Sequence, residues 1–465
     1  MNGAEYMRRE LMIHVVRDFF EGRLEETIDR IPILLRPKNA LFSRCCVFHD
    51  RAVLRYRIMA LLGVSIEADD DEIKPLSAYL AETKDSPLML EGPPLTVAGA
   101  GCSGCPESRL VVTSNCRGCF ARPCLFNCPK GAISVENQRS RIDYDRCVKC
   151  GRCEKVCPFN AITRTVVPCE SACPVGAIAK NQSGVAEIDF DKCIFCGRCF
   201  RACPFAAIME RSQLIRVLRA LKRGEKLTAI VAPSAQLQFP CELEQLFSAI
   251  HRAGFDDVME VALGAEMTTA HESEEFAERM AHGEPLMTTS CCPAYVELAR
   301  RHIPDLLPRV SRTPSPMRFA ARLARDKHPH NKVVFIGPCI AKRHEAVTSG
   351  EVDAVLTFEE LGALLIGLGI DIMQEPRWKL ERPADESARN YAKSCGVSQA
   401  VLQQLTRTHH PSLAEFQLSA QTISGVDQRA VRMLRQYAAG KMPENFLEVM
   451  CCEDGCRNGP CSLGK

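Results

Sequence analysis

Residues 448–456 read EVMCCEDGC, so Cys451, Cys452 and Cys456 fall within six positions. Two more cysteine-bearing stretches precede them, TTSCCPAY at 288–295 and GPCIAKRHE at 337–345. Thiolates are soft ligands suited to zinc and to iron–sulfur clusters. Each stretch alone reads equally well as a buried cysteine packed as a small hydrophobe. Their context is a chain of 465 residues with 27 cysteines. The opening MNGAEYMRREL is charged and lacks the apolar centre of a secretory signal. An odd cysteine count at C-x2-C spacings therefore predicts metal binding in a reducing, cytoplasmic setting, not a disulfide framework.

The densest cysteine chemistry lies upstream. Sixteen cysteines fall between Cys102 and Cys203, and the segment repeats itself. CVKCGRCEKVCPFNAI begins at Cys147 and CIFCGRCFRACPFAAI at Cys193. Both follow C-x2-C-x2-C-x3-C-P, the run in which three close thiolates wrap one 4Fe-4S cluster and the fourth reaches another. The expectation is one cluster on Cys147, Cys150, Cys153 and Cys203, and a second on Cys193, Cys196, Cys199 and Cys157. Zinc could use any C-x2-C pair but leaves the C-P endings and the paired repeats unexplained. This part resembles bacterial two-cluster ferredoxins. A looser copy holds Cys116, Cys119, Cys124 and Cys128, and a half-copy holds Cys169 and Cys173. Cys102 and Cys105 stand just before the array. Together these thiols suffice for a third and a fourth cluster, with their pairing left open.

The elements that must position these residues form three expected parts. Residues 1–95 read as a helical region, with helical apolar spacing at 6–20 and 52–62. Cys45 and Cys46 lie there with a structural or unassigned role. Residues 69–72 are an acidic run expected in a solvated loop or helix start, and 91–94 read as a linker. Residues 96–210 form the ferredoxin-like part. Residues 211–465 open with a basic amphipathic helix at 211–223 and then alternate strand and helix. Strands are expected at 227–232, 257–263, 286–289, 332–336 and 352–356. Helices are expected at 266–280, from 294, and through 365, with a loop at 383–386. Such alternation predicts an α/β domain with a mainly parallel sheet, and a site outside the carboxyl ends of its strands. SCCP and GPC both fall where a strand has just ended. The fold class is thus multidomain, α/β plus α+β. Formal net charge is only +2, which gives no reason to expect nucleic acid as a partner. The apolar run at 361–370 is too short to span a membrane.

Taken in this order behind a ferredoxin array, the three loops resemble the signature loops of the FeFe hydrogenases, TSCCPxW, MPCxxKxxE and ExMxCxxGCxxGG. The resemblance covers about 110–465, and the helical N-terminal part with looser cysteine copies looks most like the group B branch. It implies reversible reduction of protons to hydrogen at an H-cluster. That cofactor is a 4Fe-4S cubane joined through a cysteine to a two-iron centre with CO, cyanide and azadithiolate. It implies Cys292, Cys339, Cys452 and Cys456 as cubane ligands, with Cys456 bridging to the two irons. Cys291 becomes the last thiol of the proton path. Lys342 becomes a hydrogen-bond donor to cyanide, and Met450 a packing residue. Glu272, Glu275 and Arg279 share one helix face. With Ser311 they resemble the outer proton path. The implied partners are ferredoxin or a similar electron carrier, H-cluster maturation proteins, hydrogen and protons. Departures are Tyr295 for the family tryptophan, Gly337 for the methionine before P-C, and RNGPCSLGK where relatives carry a glycine run. Gly337 is expected to remove a packing contact. The competing readings are a non-catalytic relative that senses hydrogen or assembles clusters, and a plain polyferredoxin. Cys291 and Lys342 weigh against the first of these.

Overall fold

A computed structural model describes residues 3–39, 44–69, 71–102, 105, 108–408 and 417–464. The chain forms two compact units: Met1–Cys102 with Cys173–Lys465, and Ser103–Ala172. In the larger unit four strands make a wholly parallel sheet in the order Asp257–Glu260, Leu227–Val231, Lys332–Ile336, Ala354–Leu356. Leu227–Val231 is buried at every position. That is why it reads as a continuous apolar run and not as an alternation, as expected of a parallel strand covered on both faces. A second parallel sheet places Phe446–Met450 between Met287–Thr288 and Ala420–Ser424.

One boundary moves substantially. The strand expected at 257–263 stops at Glu260, and a single helix then runs Val261–Ala281. Val261 and Ala262 are buried in either state, so apolar character alone could not locate the switch. Gly264 lets this helix approach Pro316–Lys327, because a Cβ there would stand 2.1 Å from the Pro316 carbonyl oxygen. The loop expected at 383–386 runs into a short helix, Glu386–Arg389.

The first helix, Gly3–Phe20, buries Leu11, Met12, Val15 and Val16 in the same core as the four-stranded sheet. Arg8 fixes it with two hydrogen bonds to buried Glu359, of 2.7 and 2.8 Å. Leu214–Lys222 likewise buries its apolar face. Its arginines are used internally, Arg216 on the carbonyls of Pro87 and Met89 and Arg219 on that of Leu80. The smaller unit is built from two antiparallel pairs, Ile133–Glu136 with Arg139–Ile142 and Arg109–Val112 with Ile162–Thr165. No helix among the described residues is long and apolar enough to cross a membrane.

Candidate active site and thiol sets

Three strand ends deliver the three cysteine loops of the larger unit to one cavity. Met287–Thr288 leads to Cys291 and Cys292, Lys332–Ile336 to Cys339, and Phe446–Met450 to Cys451, Cys452 and Cys456. The cavity, of about 90 Å³, is lined by all six thiols with Lys342, Met450, Phe335 and Tyr391. Burial, together with the neighbouring thiols, pushes Cys339 and Cys456 up to about 12 and raises Cys452 as well. Buried adjoining thiols that resist ionisation this strongly gain most from a cation among them. No group of three or more described His, Cys, Asp or Glu residues converges on a point that would suit a single metal ion. Six thiols around one cavity are a donor set of the kind that holds iron–sulfur clusters.

Cys451 is not a bystander. Its hydrogen bond to Cys292 is the largest influence drawing the Cys292 thiol down to about 6, against burial. Cys291 is raised by burial first and then by the charge of Glu272. Lys342 Nζ donates to Glu345 Oε2 at 2.5 Å and to Ser315 Oγ at 3.1 Å. Burial disfavours its ammonium, but Glu345 outweighs burial and keeps it charged.

Glu272, Glu275, Ser311 and Arg279 come together beside this cavity. Ser290 donates to Glu272 Oε1 through its N–H at 3.2 Å, which joins the carboxyl to the residue preceding Cys291. Ser311 donates to Glu275 Oε2 at 2.7 Å. A hydroxyl has one proton, and Glu272 Oε2 is buried without a hydrogen-bond partner. Burial pushes Glu272 up to about 7. Burial acts on Glu275 too, but the Arg312 N–H, Ser311 and Arg279 outweigh it and hold that carboxyl low. Arg279 Nη2 stands 2.6 Å from Glu275 and also donates to the Val310 carbonyl.

The thiol sets upstream differ from the sequence expectation. Cys203 is not the fourth thiol beside Cys147, Cys150 and Cys153; Cys128 lines a small cavity with those three. Nor does Cys157 complete the other repeat: the charges of Cys193, Cys196 and Cys199 are felt together with that of Cys173. The hairpins explain this. Ile133–Glu136 follows Cys128 and turns into Arg139–Ile142, which folds Cys128 onto the copy starting at Cys147. Ile178–Lys180 with Ala186–Ile188 does the same between Cys173 and Cys193. Ile162–Thr165, after Cys157, pairs with Arg109–Val112, before Cys116. Cys116 and Cys124 share Ser140 there. Ile208–Glu210, after Cys203, pairs with Leu95–Val97, before Cys102. Cys105, Cys119 and Cys169 also belong to the smaller unit.

The Cys193 copy is tied to elements of the cavity region within the larger unit. Arg301 donates to the Cys193 carbonyl at 3.0 Å, Arg201 to that of Asn458 at 3.0 Å, and Phe195 stacks on His344 at 4.1 Å. Cys196 lies close enough to influence Cys452 and Cys451 electrostatically.

The family model for the iron-only hydrogenase large subunit, C-terminal domain, matches residues 225–460, just over half of the chain. The chain belongs to that family. The 4Fe-4S binding domain matches 140–163 and 186–209. Iron hydrogenase 1 of Clostridium pasteurianum is 27% identical over 413 residues, 76% of this chain and 70% of that protein. The cytosolic Fe-S cluster assembly factor NAR1 of Meyerozyma guilliermondii is 28% identical over 181 residues, 33% of this chain and 34% of that one. A solved FeFe-hydrogenase HydA1 from Chlamydomonas reinhardtii aligns at a TM-score of 0.46 and 21% identity, over 54% of this chain and 85% of that one.

As a hydrogenase-family chain, this one fills its departures locally. At Gly337 a Cβ would stand 2.6 Å from the Phe335 ring. Phe335 lines the cavity, so its ring occupies the space that a side chain at 337 would take. Tyr295 is fully buried and donates to Thr288 Oγ1 at 2.7 Å. Sequence reading passed over Glu448, which accepts from the Ser398 N–H and hydroxyl while its Oε1 is buried without a partner. Its signal was present, as the first letter of the ExMxC pattern. Tyr391, bonded to Thr269 at 2.8 Å, carried no such signal.

Proposed function

We propose that this chain is an FeFe hydrogenase interconverting protons, electrons and hydrogen. The observation that carries the reading is the company of the four thiols Cys292, Cys339, Cys452 and Cys456. They share their cavity with the Lys342 ammonium and with a fifth thiol, Cys291, joined through Ser290 to a buried carboxyl. A cavity serving a cubane alone needs neither. When bound, the H-cluster supplies the redox-active iron at which protons and electrons combine.

The chain's own residues supply the rest. The four thiols would hold the cubane, Cys456 bridging to the two-iron centre. Lys342, held by Glu345 and Ser315, would present a charged donor to a cyanide ligand. Met450 and Phe335 would pack around it and exclude water. Arg279, Glu275, Ser311, Glu272 and Cys291 would pass protons in turn. Glu272, poised at about 7, can both take and release a proton near neutrality. Electrons would enter through cubanes on Cys173/Cys193/Cys196/Cys199 and on Cys128/Cys147/Cys150/Cys153. A third set, Cys116, Cys119, Cys124 and Cys157, and a fourth including Cys102 and Cys203, complete the array. The functional division stays at 1–95, 96–210 and 211–465, with a ferredoxin-type carrier and maturation proteins as cytoplasmic partners and group B as the branch.

The likeness to a cluster assembly factor favours one second reading, a non-catalytic iron–sulfur relative. Anaerobic expression with H-cluster maturation or a synthetic two-iron mimic separates them. Infrared CO and cyanide bands with hydrogen-dependent dye reduction are expected. Full cubane iron without those bands would leave the second reading standing.

A further inference from the structure

Cys45 and Cys46 stand outside every thiol set above. Cys46 occupies the position just before helix Val47–Leu61, and Cys45 precedes it. Cys45 Sγ lies 3.8 Å from Cys46 Sγ and 3.2 Å from His49 Nδ1. The other ring nitrogen, His49 Nε2, meets the Ala100 carbonyl oxygen at 2.7 Å. A carbonyl can only accept, so Nε2 carries the ring proton and Nδ1 is left as an acceptor for the Cys45 thiol. A thiol within reach of a base that a third group orients is the arrangement that activates a nucleophile.

The two thiols are not equivalent. The His49 N–H at the helix start is the largest influence on Cys46 and draws its thiol below the ordinary range. Cys45 is raised because it donates to Cys46. The first negative charge of the pair thus settles on Cys46, while Cys45 keeps a proton next to an acceptor nitrogen. Cys45 is exposed and Cys46 half-buried, so a small molecule can reach both.

We propose that Cys45, Cys46 and His49 form a thiol–disulfide exchange site for a small disulfide, separate from the metal chemistry. The Cys46 thiolate attacks one sulfur of the small disulfide. A Cys46–sulfur bond forms, the small disulfide's own bond breaks, and one small thiolate leaves and takes a proton from water. Cys45 then gives its proton to His49 Nδ1 and attacks the Cys46 sulfur. A Cys45–Cys46 bond forms and the second small thiol departs with the proton from His49. The pair loses two electrons, and the small disulfide gains them as two thiols.

The test uses the anaerobic, cluster-loaded full chain with oxidised glutathione, an acid quench and peptide mapping by mass spectrometry. Wild type should lose both thiols as a Cys45–Cys46 disulfide without a lasting adduct. Cys45→Ser should trap glutathione on Cys46. Cys46→Ser should slow reaction in this segment about tenfold, to the level of Cys395, an exposed thiol elsewhere in the chain. His49→Gln should leave the first step unchanged and slow closure about tenfold, so that the Cys46 adduct accumulates. Three results would overturn the proposal: no adduct on Cys46 in Cys45→Ser, closure at the wild-type rate in His49→Gln, or thiol loss that appears only as cluster absorbance bleaches.

Discussion

The thiols of the small unit and those of the six-thiol cavity are gathered in opposite ways. In Ser103–Ala172, Cys147, Cys150 and Cys153 come from one tight loop, and a hairpin brings Cys128 beside them from the adjoining copy. In the cavity, Cys292, Cys339 and Cys452 arrive from three strand ends far apart in the chain. Local spacing is thus a sound guide to three ligands of a ferredoxin set and a poor guide to the fourth. Parallel strands of one sheet, by contrast, end at the same edge, which brings the loops after Met287–Thr288 and Phe446–Met450 together whatever their separation in sequence, while the loop after Lys332–Ile336 reaches the same cavity from the four-stranded sheet.

The largest test of that contrast is Cys128→Ser against Cys203→Ser. Cys128→Ser should remove the cluster assigned to Cys147, Cys150 and Cys153, while Cys203→Ser should leave it intact; iron content and low-temperature EPR of the full chain report this. The reverse outcome would restore pairing between the two most similar repeats. Next comes Cys291→Ala, which should lower hydrogen turnover by about 10²–10⁴-fold while keeping the infrared bands. Full activity in that variant would remove Cys291 from the proton path.

Glu272→Gln should reduce turnover on the same scale and also change stability with a definite sign. Burial raises the folded carboxyl to about 7, so the folded protein keeps a proton that the unfolded chain has already released. Wild-type stability therefore falls as pH rises from the ordinary carboxylate range to about 7, then levels off. The variant lacks that loss. Its stability advantage over wild type should grow between about pH 4.5 and about pH 7, by on the order of 3 kcal/mol, and then level off, as thermal unfolding at a series of pH values would show. An advantage independent of pH would contradict the assigned burial effect. The smallest effect is that of Tyr295→Phe, which leaves Thr288 Oγ1 without the 2.7 Å donor and should cost about 1 kcal/mol. Thermal unfolding would show it as a small drop in Tm with the infrared bands unshifted; shifted bands would place Tyr295 in direct service of the cofactor.

How much was legible follows from which forces are local. The apolar runs at 227–231 and 332–336 stood out because both faces of the sheet are covered. The shared face of Glu272, Glu275 and Arg279 followed from helical periodicity, and the Arg279–Glu275 hydrogen bond agrees with it for that pair. The start of that helix did not follow, because Val261 and Ala262 are apolar in either conformation.

The sequence by itself determined the iron–sulfur character and the three cysteine loops, because thiol type and spacing along one strand or turn are covalent facts. Only the tertiary structure decided which fourth thiol joins each ferredoxin triad, since antiparallel pairing between separate copies carries it. Tertiary packing also decided that Phe335 fills the space at Gly337, that Cys451 hydrogen-bonds to Cys292, and that His49 turns Nδ1 to Cys45 and Nε2 to a carbonyl. Each of these depends on a neighbour delivered by another element, and no spacing in the chain encodes it.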